Sequence, residues 1–231
     1  MDPMKIVDST GWEAFWPVVD GKVIVDDQYK MYEAGNFNDV NILIGTNSDE
    51  GCFFTAPTPI DQYEGRMKWI YGDHADKVLK LYPATNPMEA KDALSDIFRD
   101  GSFAWGTYAW ANLQNKKSGK NVYLYYFDQN PKSGWGGSKR GAVHAVEMQF
   151  IYNQKRDWLT PIENSVASIM TQYWINFTKN CDPNGEALPF WTKYEQDKES
   201  VMNIHNGFHI TKVPNLEQLE FFEEFFKSRS K

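Results

Sequence analysis

Two short apolar runs stand out from the mixed hydrophobic and polar pattern of the chain. They are residues 41–46 (NILIGT) and 121–127 (NVYLYYF), both rich in β-branched or aromatic side chains and bounded by turn-forming residues. Runs of this length are typical of buried strands, although periodicity alone does not distinguish them from a buried helical segment. We therefore predict two core strands, of which the second has the stronger pattern.

Longer segments around these runs carry apolar side chains at helical spacing. Asp73 is a candidate N-cap for one of the resulting helices, and Pro83 ends it. Gly101 and Gly106 are candidate break points within another. The predicted helices cover residues 26–34, 59–71, 73–82, 87–115, 162–179 and 216–227.

Turn-forming pairs predict two hairpins, at residues 12–24 around Asp20-Gly21 and at 200–211 around Asn206-Gly207. The alternation of strands with long helical stretches indicates an α/β fold with a mainly parallel sheet and flanking helices. Two parallel core strands buried on both faces do not make a stable sheet. The pattern therefore predicts an incomplete sheet.

Composition narrows the class of protein. The 231 residues are 42% hydrophobic, which is enough for a packed core, and the longest apolar runs are too short to span a membrane. The net charge of −7, with basic residues scattered singly or in pairs, argues against a nucleic-acid partner. The first residues show no signal-peptide pattern, but they leave the compartment of the parent protein open.

The two cysteines, Cys52 and Cys181, are far apart and show no metal-binding spacing. Two free thiols are the favoured interpretation, and a single disulfide is the alternative. His144 and Glu147 form an HxxE pair, but a pair without a third ligand does not make a metal site. We therefore predict neither a metal nor a cofactor.

The candidate chemistry lies after the two predicted strands. Glu50 follows the first strand and His144 follows the second, which is the order of acid and histidine in α/β-hydrolases. Each residue also has an alternative interpretation: Glu50 as a carboxylate that complements a helix dipole, and His144 as a hydrogen-bonded structural histidine. The structural interpretation is favoured for His74, His205 and His209, since no acidic residue stands at an informative spacing from them.

Several motifs resemble type-B carboxylesterases, the family that includes bacterial para-nitrobenzyl esterases and the cholinesterases. The matching segments are residues 15–21 (FWPVVDG), 42–51 (ILIGTNSDEG), 141–147 (GAVHAVE), 173–185 (YWINFTKNCDPNG) and 188–191 (LPFW). The resemblance places Glu50 on the triad acid and His144 on the triad base, and it makes Glu147 a structural partner of the histidine loop. Ala145 and Cys181 stand where the family usually has glycine, which we interpret as small surface-type changes.

The family's nucleophile elbow is missing from the printed sequence. No GxSxG occurs, and the nearest segment, residues 136–140 (GGSKR), lacks the last glycine, so Ser138 is not expected to be the nucleophile. By resemblance, the elbow and the oxyanion-hole loop lie N-terminal to the Glu50 motif. Residues 1–231 are therefore expected to be the C-terminal part of one α/β-hydrolase domain.

The resemblance implies hydrolysis of small carboxylic esters through an acyl-serine intermediate, with a complementing N-terminal half as a candidate partner. Without the serine and the oxyanion donors, we expect this chain to be inactive alone. The alternative is a non-catalytic binding or adhesion module related to the cholinesterases. Aromatic residues near Phe53, Phe54, Trp105 and Trp135 are candidates for an apolar gorge, but such residues more often belong to the core.

Overall fold

The computed structural model describes residues 4–5, 8, 17–131, 140–154 and 157–229, which fall into two compact units, Met1–Asn38 and Asp39–Lys231. In the first unit, helix α1 (Gln28–Glu33) begins after Asp27, whose side chain accepts a hydrogen bond from the Lys30 amide. The chain then turns at Gly35, which has φ +80°. The predicted helix at 26–34 is confirmed.

The hairpin predicted at 12–24 is wrong over its described part, since residues 17–20 have no regular structure and residues 21–24 form bends. Oδ1 of Asp20 accepts hydrogen bonds from the amides of Lys22, Val23 and Ile24. These side-chain bonds satisfy backbone groups that a partner strand would otherwise have to satisfy. Residues 12–16 of the predicted hairpin lie outside the described residues.

The second unit contains a four-stranded sheet in the order β1-β2-β3-β4. Strands β1 and β2 are parallel, β2 and β3 are parallel, and β3 and β4 form an antiparallel hairpin. Both predicted core strands and the hairpin at 200–211 are confirmed, and the hairpin extends the same sheet. The strands are Ile42–Asn47 (β1), Val122–Phe127 (β2), Ser200–Ile204 (β3) and Phe208–Lys212 (β4).

Helices flank the sheet and include one element that the pattern did not predict, the short helix α6. The prediction that Asp73 caps a helix is wrong, because Asp73 lies inside a 3-10 turn, Gly72–His74, that leads directly into α3. The helices are Ile60–Tyr71 (α2), Ala75–Leu81 (α3), Pro87–Arg99 (α4), Trp105–Lys117 (α5), Glu147–Ile151 (α6), Pro161–Asn180 (α7) and Leu216–Arg229 (α8).

The long predicted helix at 87–115 divides near its glycines, as expected, but the chain does not break there. A π-helical turn, Asp100–Ala104, joins α4 to α5. A Cβ on Gly101 would lie 2.7 Å from Cε1 of Phe222, so the absence of a side chain lets α8 pack closely against this turn. Local widening to a π turn is a recognised feature of functional regions.

The parallel strands β1, β2 and β3 contribute buried side chains to the cores on the two faces of the sheet, whereas most side chains of β4 are exposed. Side chains of β2 alternate: Tyr123 and Phe127 enter a core with α7, and Val122 and Leu124 enter a second core with α5 and the start of α8. A third core joins α2, α3 and α4 to the phenylalanines of α8. In the part of the chain that the structure describes, no helix has the length and apolarity needed to cross a membrane.

Candidate active site

The loop that follows β1, residues 48–51, folds back onto the end of its own strand. The backbone amide of Asn47 donates a hydrogen bond to Oε1 of Glu50 at 2.8 Å, and Glu50 is only 6% exposed. A Cβ on Gly51 would lie 2.1 Å from the backbone oxygen of Ser95 on α4. Glycine is therefore required at position 51 for this loop, here called the acid loop, to lie against α4.

The segment before α6, residues 140–146, is here called the histidine loop, and it lies directly against the acid loop. The Asp49 amide donates to the Ala142 oxygen, and the Ala142 amide donates to Oγ of Ser48, both at 2.8 Å. A Cβ on Gly141 would lie 2.3 Å from Ser48 Oγ, so a side chain here would displace the hydroxyl that accepts from the Ala142 amide. The loops that follow two adjacent parallel strands thus meet at one edge of the sheet.

This contact brings the two predicted site residues together. Nδ1 of His144 lies 2.6 Å from Oε2 of Glu50. An ionised carboxylate only accepts hydrogen bonds, so Nδ1 carries the proton in that state and Nε2 is the nitrogen that can accept one. The His144 side chain is 43% exposed, whereas that of Glu50 is 8% exposed. The arrangement is that of a buried acid that orients an accessible base.

Burial is the main influence on the Glu50 carboxyl. Desolvation raises its pKa, and the nearby Glu147 adds to this effect. The Asn47 amide and the His144 ring act in the opposite direction, because both stabilise the ionised form. The net result is a raised pKa, so the ionised carboxylate of Glu50 lowers the stability of the folded chain relative to its protonated form.

Asn47, which the sequence analysis did not single out, holds the two loops together. This buried side chain donates from Nδ2 to the Val143 oxygen at 2.9 Å, and also to Oε2 of Glu147. The Glu147 carboxylate is therefore linked to the histidine loop through Asn47, which binds both Glu147 and Val143. The signal available in the sequence was the position of Asn47, at the end of β1 and inside the acid motif.

Aromatic rings line one side of His144. The Phe103 ring centroid lies 5.0 Å from that of His144, and Phe54 lies 6.1 Å from it in an edge-on arrangement. Phe54 also stacks on Phe98 at 4.6 Å although it is about half exposed. Of the other gorge candidates, Trp105 packs in the core and donates to Glu223, and Trp135 lies outside the described residues.

The remaining candidates take no part in this site. Cys52 and Cys181 are both free thiols, and burial raises the pKa of Cys52 to about 11, which keeps it protonated. Nδ1 of His205 donates to the Asp128 backbone oxygen, 2.7 Å away, which fits its structural interpretation. No cluster of three His, Cys, Asp or Glu side chains that could hold a metal occurs within the described ranges. Ser138 lies outside them.

Comparison with known proteins identifies the lineage. The model of the carboxylesterase family matches residues 5–222. Similar proteins include acetylcholinesterase 1 of Caenorhabditis elegans, 26% identical over 226 residues that cover 81% of this chain and 36% of the relative. Carboxylesterase 5A of Felis catus is 27% identical, with 89% of this chain and 42% of the relative covered.

The acetylcholinesterase of Electrophorus electricus is also 27% identical, with 74% of this chain and 35% of the relative covered. The chain thus spans roughly two fifths or less of the length of these relatives. Its four-stranded mixed sheet with flanking helices is consistent with part of an α/β-hydrolase fold. On the extent of the family match, the chain belongs to the carboxylesterase family.

Proposed function

We propose that this chain supplies the acid, Glu50, and the base, His144, of a serine carboxylesterase. The observation that supports this most directly is the 2.6 Å contact between Nδ1 of His144 and Oε2 of Glu50. The two side chains come from loops that follow neighbouring parallel strands, which is where open α/β sheets place their catalytic groups. The low exposure of the acid and the higher exposure of the base match their roles in such a triad.

The proposed reaction is hydrolysis of a carboxylic ester. Nε2 of His144 removes the proton from a serine hydroxyl as the oxygen attacks the ester carbonyl, and it then gives that proton to the departing alcohol. A water molecule, deprotonated by the same Nε2, then attacks the acyl-serine. The carboxylic acid leaves, and the serine oxygen takes the proton back from His144. Glu50 keeps Nδ1 protonated and stabilises the imidazolium that forms in each step.

The nucleophile has to come from another segment, because the printed sequence contains no GxSxG. We propose that residues 1–231 form the C-terminal part of one α/β-hydrolase domain, whose other part carries the elbow and the oxyanion donors. Strand β1 pairs with β2 on one side, and among the described residues no strand pairs with its other side. This edge is the proposed attachment point for the remaining strands.

The chain alone is accordingly proposed to be inactive, since loss of the nucleophile and oxyanion donors costs several orders of magnitude in rate. The aromatic rings of Phe54 and Phe103 beside His144 favour substrates with an apolar group near the ester. A purely adhesive module has no need for an oriented acid and base. The retained pair therefore favours the esterase proposal over a binding module.

The proposal is tested with para-nitrophenyl and para-nitrobenzyl esters. The purified chain is assayed alone and after co-expression with a candidate N-terminal half, a GxSxG-containing carboxylesterase segment sought in the upstream DNA. Activity is expected only in the combined sample, and His144→Ala is expected to lower it by about 10⁴-fold or more. The matched control, His209→Ala, removes an exposed imidazole on β4 and is expected to leave activity unchanged.

Two results would contradict the proposal. Ester hydrolysis by the chain alone that disappears in His144→Ala would refute the inactivity of the isolated chain. Activity in the combined sample that survives His144→Ala would refute the role of this histidine.

A further inference from the structure

One carboxylate on α4, that of Asp96, binds two arginines that reach different loops of the site. Its Oδ1 lies 2.8 Å from Nη1 of Arg99, and its Oδ2 lies 2.7 Å from Nη2 of Arg140. Nη1 of Arg99 also donates to the Ser48 backbone oxygen at 3.1 Å, in the acid loop. Arg140 is itself the first residue of the histidine loop. Asp96 thus connects both loops to the same helix.

The Asp96 end of this network is firmly held. Arg99 is 8% exposed and makes two further bonds to the fully buried Asp100, at 2.7 and 3.0 Å. Asp100 in turn accepts a hydrogen bond from the Tyr82 hydroxyl. The Asp96 carboxylate is therefore already held by Arg99 when it binds Arg140. The Arg140 guanidinium gains its bond to Asp96 without the entropy cost of ordering a second mobile side chain.

Arg140 makes additional contacts that are directed at the site. Its Nη1 lies 3.7 Å from Oδ1 of Asp49, a carboxylate that is only 2% exposed and is next to Glu50 in the chain. The same nitrogen donates to the Asp92 backbone oxygen at 3.3 Å. The guanidinium therefore lies beside a buried acid-loop carboxylate, while its bonds to α4 fix the start of the histidine loop.

We propose that Arg140, bound to Asp96, is a positioning residue that holds the histidine loop so that His144 meets Glu50. Within residues 140–146 (RGAVHAV), Arg140 and His144 are the side chains that can carry charge. The loops are also tied by the bonds of Asp49 and Ser48 to Ala142. Asn47 adds bonds to the Val143 oxygen and the Glu147 carboxylate. The inference rests on the proposed function only for the role of His144.

The test measures the loop contact directly, in the full chain, by hydrogen exchange and NMR. The probe is the Asp49 amide, which donates to Ala142 across the two loops, and the reference is the Ile42 amide, which donates to Asn121 at the other end of the sheet. In Arg140→Gln, the Asp49 amide is expected to exchange about five- to tenfold faster, with Ile42 unchanged. The His144 Nδ1 proton resonance is expected to move or broaden.

Asp96→Asn is the second variant and should give the same local changes, because it removes the acceptor that holds Arg140. Lys198→Gln is the control, since it breaks an exposed ion pair with Glu195 that is remote in sequence from both loops. It should alter neither the Asp49 amide nor the His144 resonance.

Three outcomes are informative. Unchanged Asp49 exchange in both Arg140→Gln and Asp96→Asn would overturn the proposal. Equal acceleration of the Asp49 and Ile42 amides would also overturn it, because the arginine would then support the fold in general. A wild-type chain whose His144 proton gives no sign of a bond to Glu50 would instead contradict the proposed function, and the Asp49 result would stand separately.

Discussion

Substitution of Gly51 by alanine tests whether the acid loop is held by close contact with α4. Gly51 has φ −86° and ψ −12°, a conformation that alanine adopts without strain, so any effect comes from space alone. The new Cβ would lie 2.1 Å from the oxygen, 2.7 Å from the carbonyl carbon and 2.8 Å from the Cα of Ser95. These are backbone atoms, which cannot move aside by changing a rotamer.

The expected size of the effect follows from these distances. An ordinary carbon contact is about 3.5 Å or more, so the acid loop or α4 has to shift by about 1 Å. Such overpacking usually costs about 1–3 kcal/mol of unfolding free energy. For a domain of this size, each kcal/mol changes Tm by about 2–4 °C, so Gly51→Ala is expected to lower Tm by about 2–12 °C.

The assay is thermal unfolding followed by circular dichroism, with Gly65→Ala as the matched control. Gly65 lies in the middle of α2, and a Cβ there would have no atom within 4 Å. The better helix propensity of alanine is expected to raise Tm by about 1–4 °C. The same chemical change should therefore have opposite signs at the two positions. A Tm for Gly51→Ala at or above that of the wild type would refute the argument that α4 confines the loop.

Two further substitutions have defined outcomes. Because burial raises the pKa of Glu50, its ionised carboxylate lowers the free energy of unfolding above that pKa. This loss of stability disappears as the pH falls and the carboxyl becomes protonated. Glu50→Gln should therefore be at least as stable as the wild type at neutral pH, and its advantage in unfolding free energy should shrink on acidification. An advantage that grows on acidification would contradict the raised pKa. The same variant should lower the esterase activity of the combined sample by about 10⁴-fold. Cys181→Gly should raise Tm by about 2–4 °C, because Cys181 has φ +57° at the C-terminus of α7. Cys181→Ser, which keeps the Cβ, should give no comparable gain.

Local patterns were sufficient to predict most elements of the second unit. The β2 sequence alternates between its two cores. Helix α7 begins at Pro161, one residue before the predicted start, and its N-cap Thr160 forms a capping box with Glu163. The placement of β3 beside β2 could not be predicted, because their pairing joins residues far apart in the chain. The hairpin prediction failed at residues 17–24 for the opposite reason. Hydrogen bonds from nearby backbone amides to the Asp20 side chain override a composition that is typical of strands.

The candidate site shows the same division between local and distant information. The proximity of Glu50 and His144 could be predicted because each follows a strand and stands in a motif. The clamp made by Asn47 and the network around Arg99 could not, since their partners come from other loops and helices. Arg99 in particular is nearly buried at a position where a helical pattern alone predicts a solvent-facing charge.

The glycines in the site motifs answer two different physical demands. Gly45, Gly51 and Gly141 have neighbours 2.1–2.3 Å from where a Cβ would lie, so any side chain there collides with packed atoms. Ala145 and Cys181, where the resemblance implies glycine, have φ +65° and +57°. A left-handed conformation costs an alanine or cysteine only about 1–2 kcal/mol. A side chain at the two strained positions therefore costs a modest and fixed free energy, whereas a side chain at the three crowded positions requires neighbouring atoms to move.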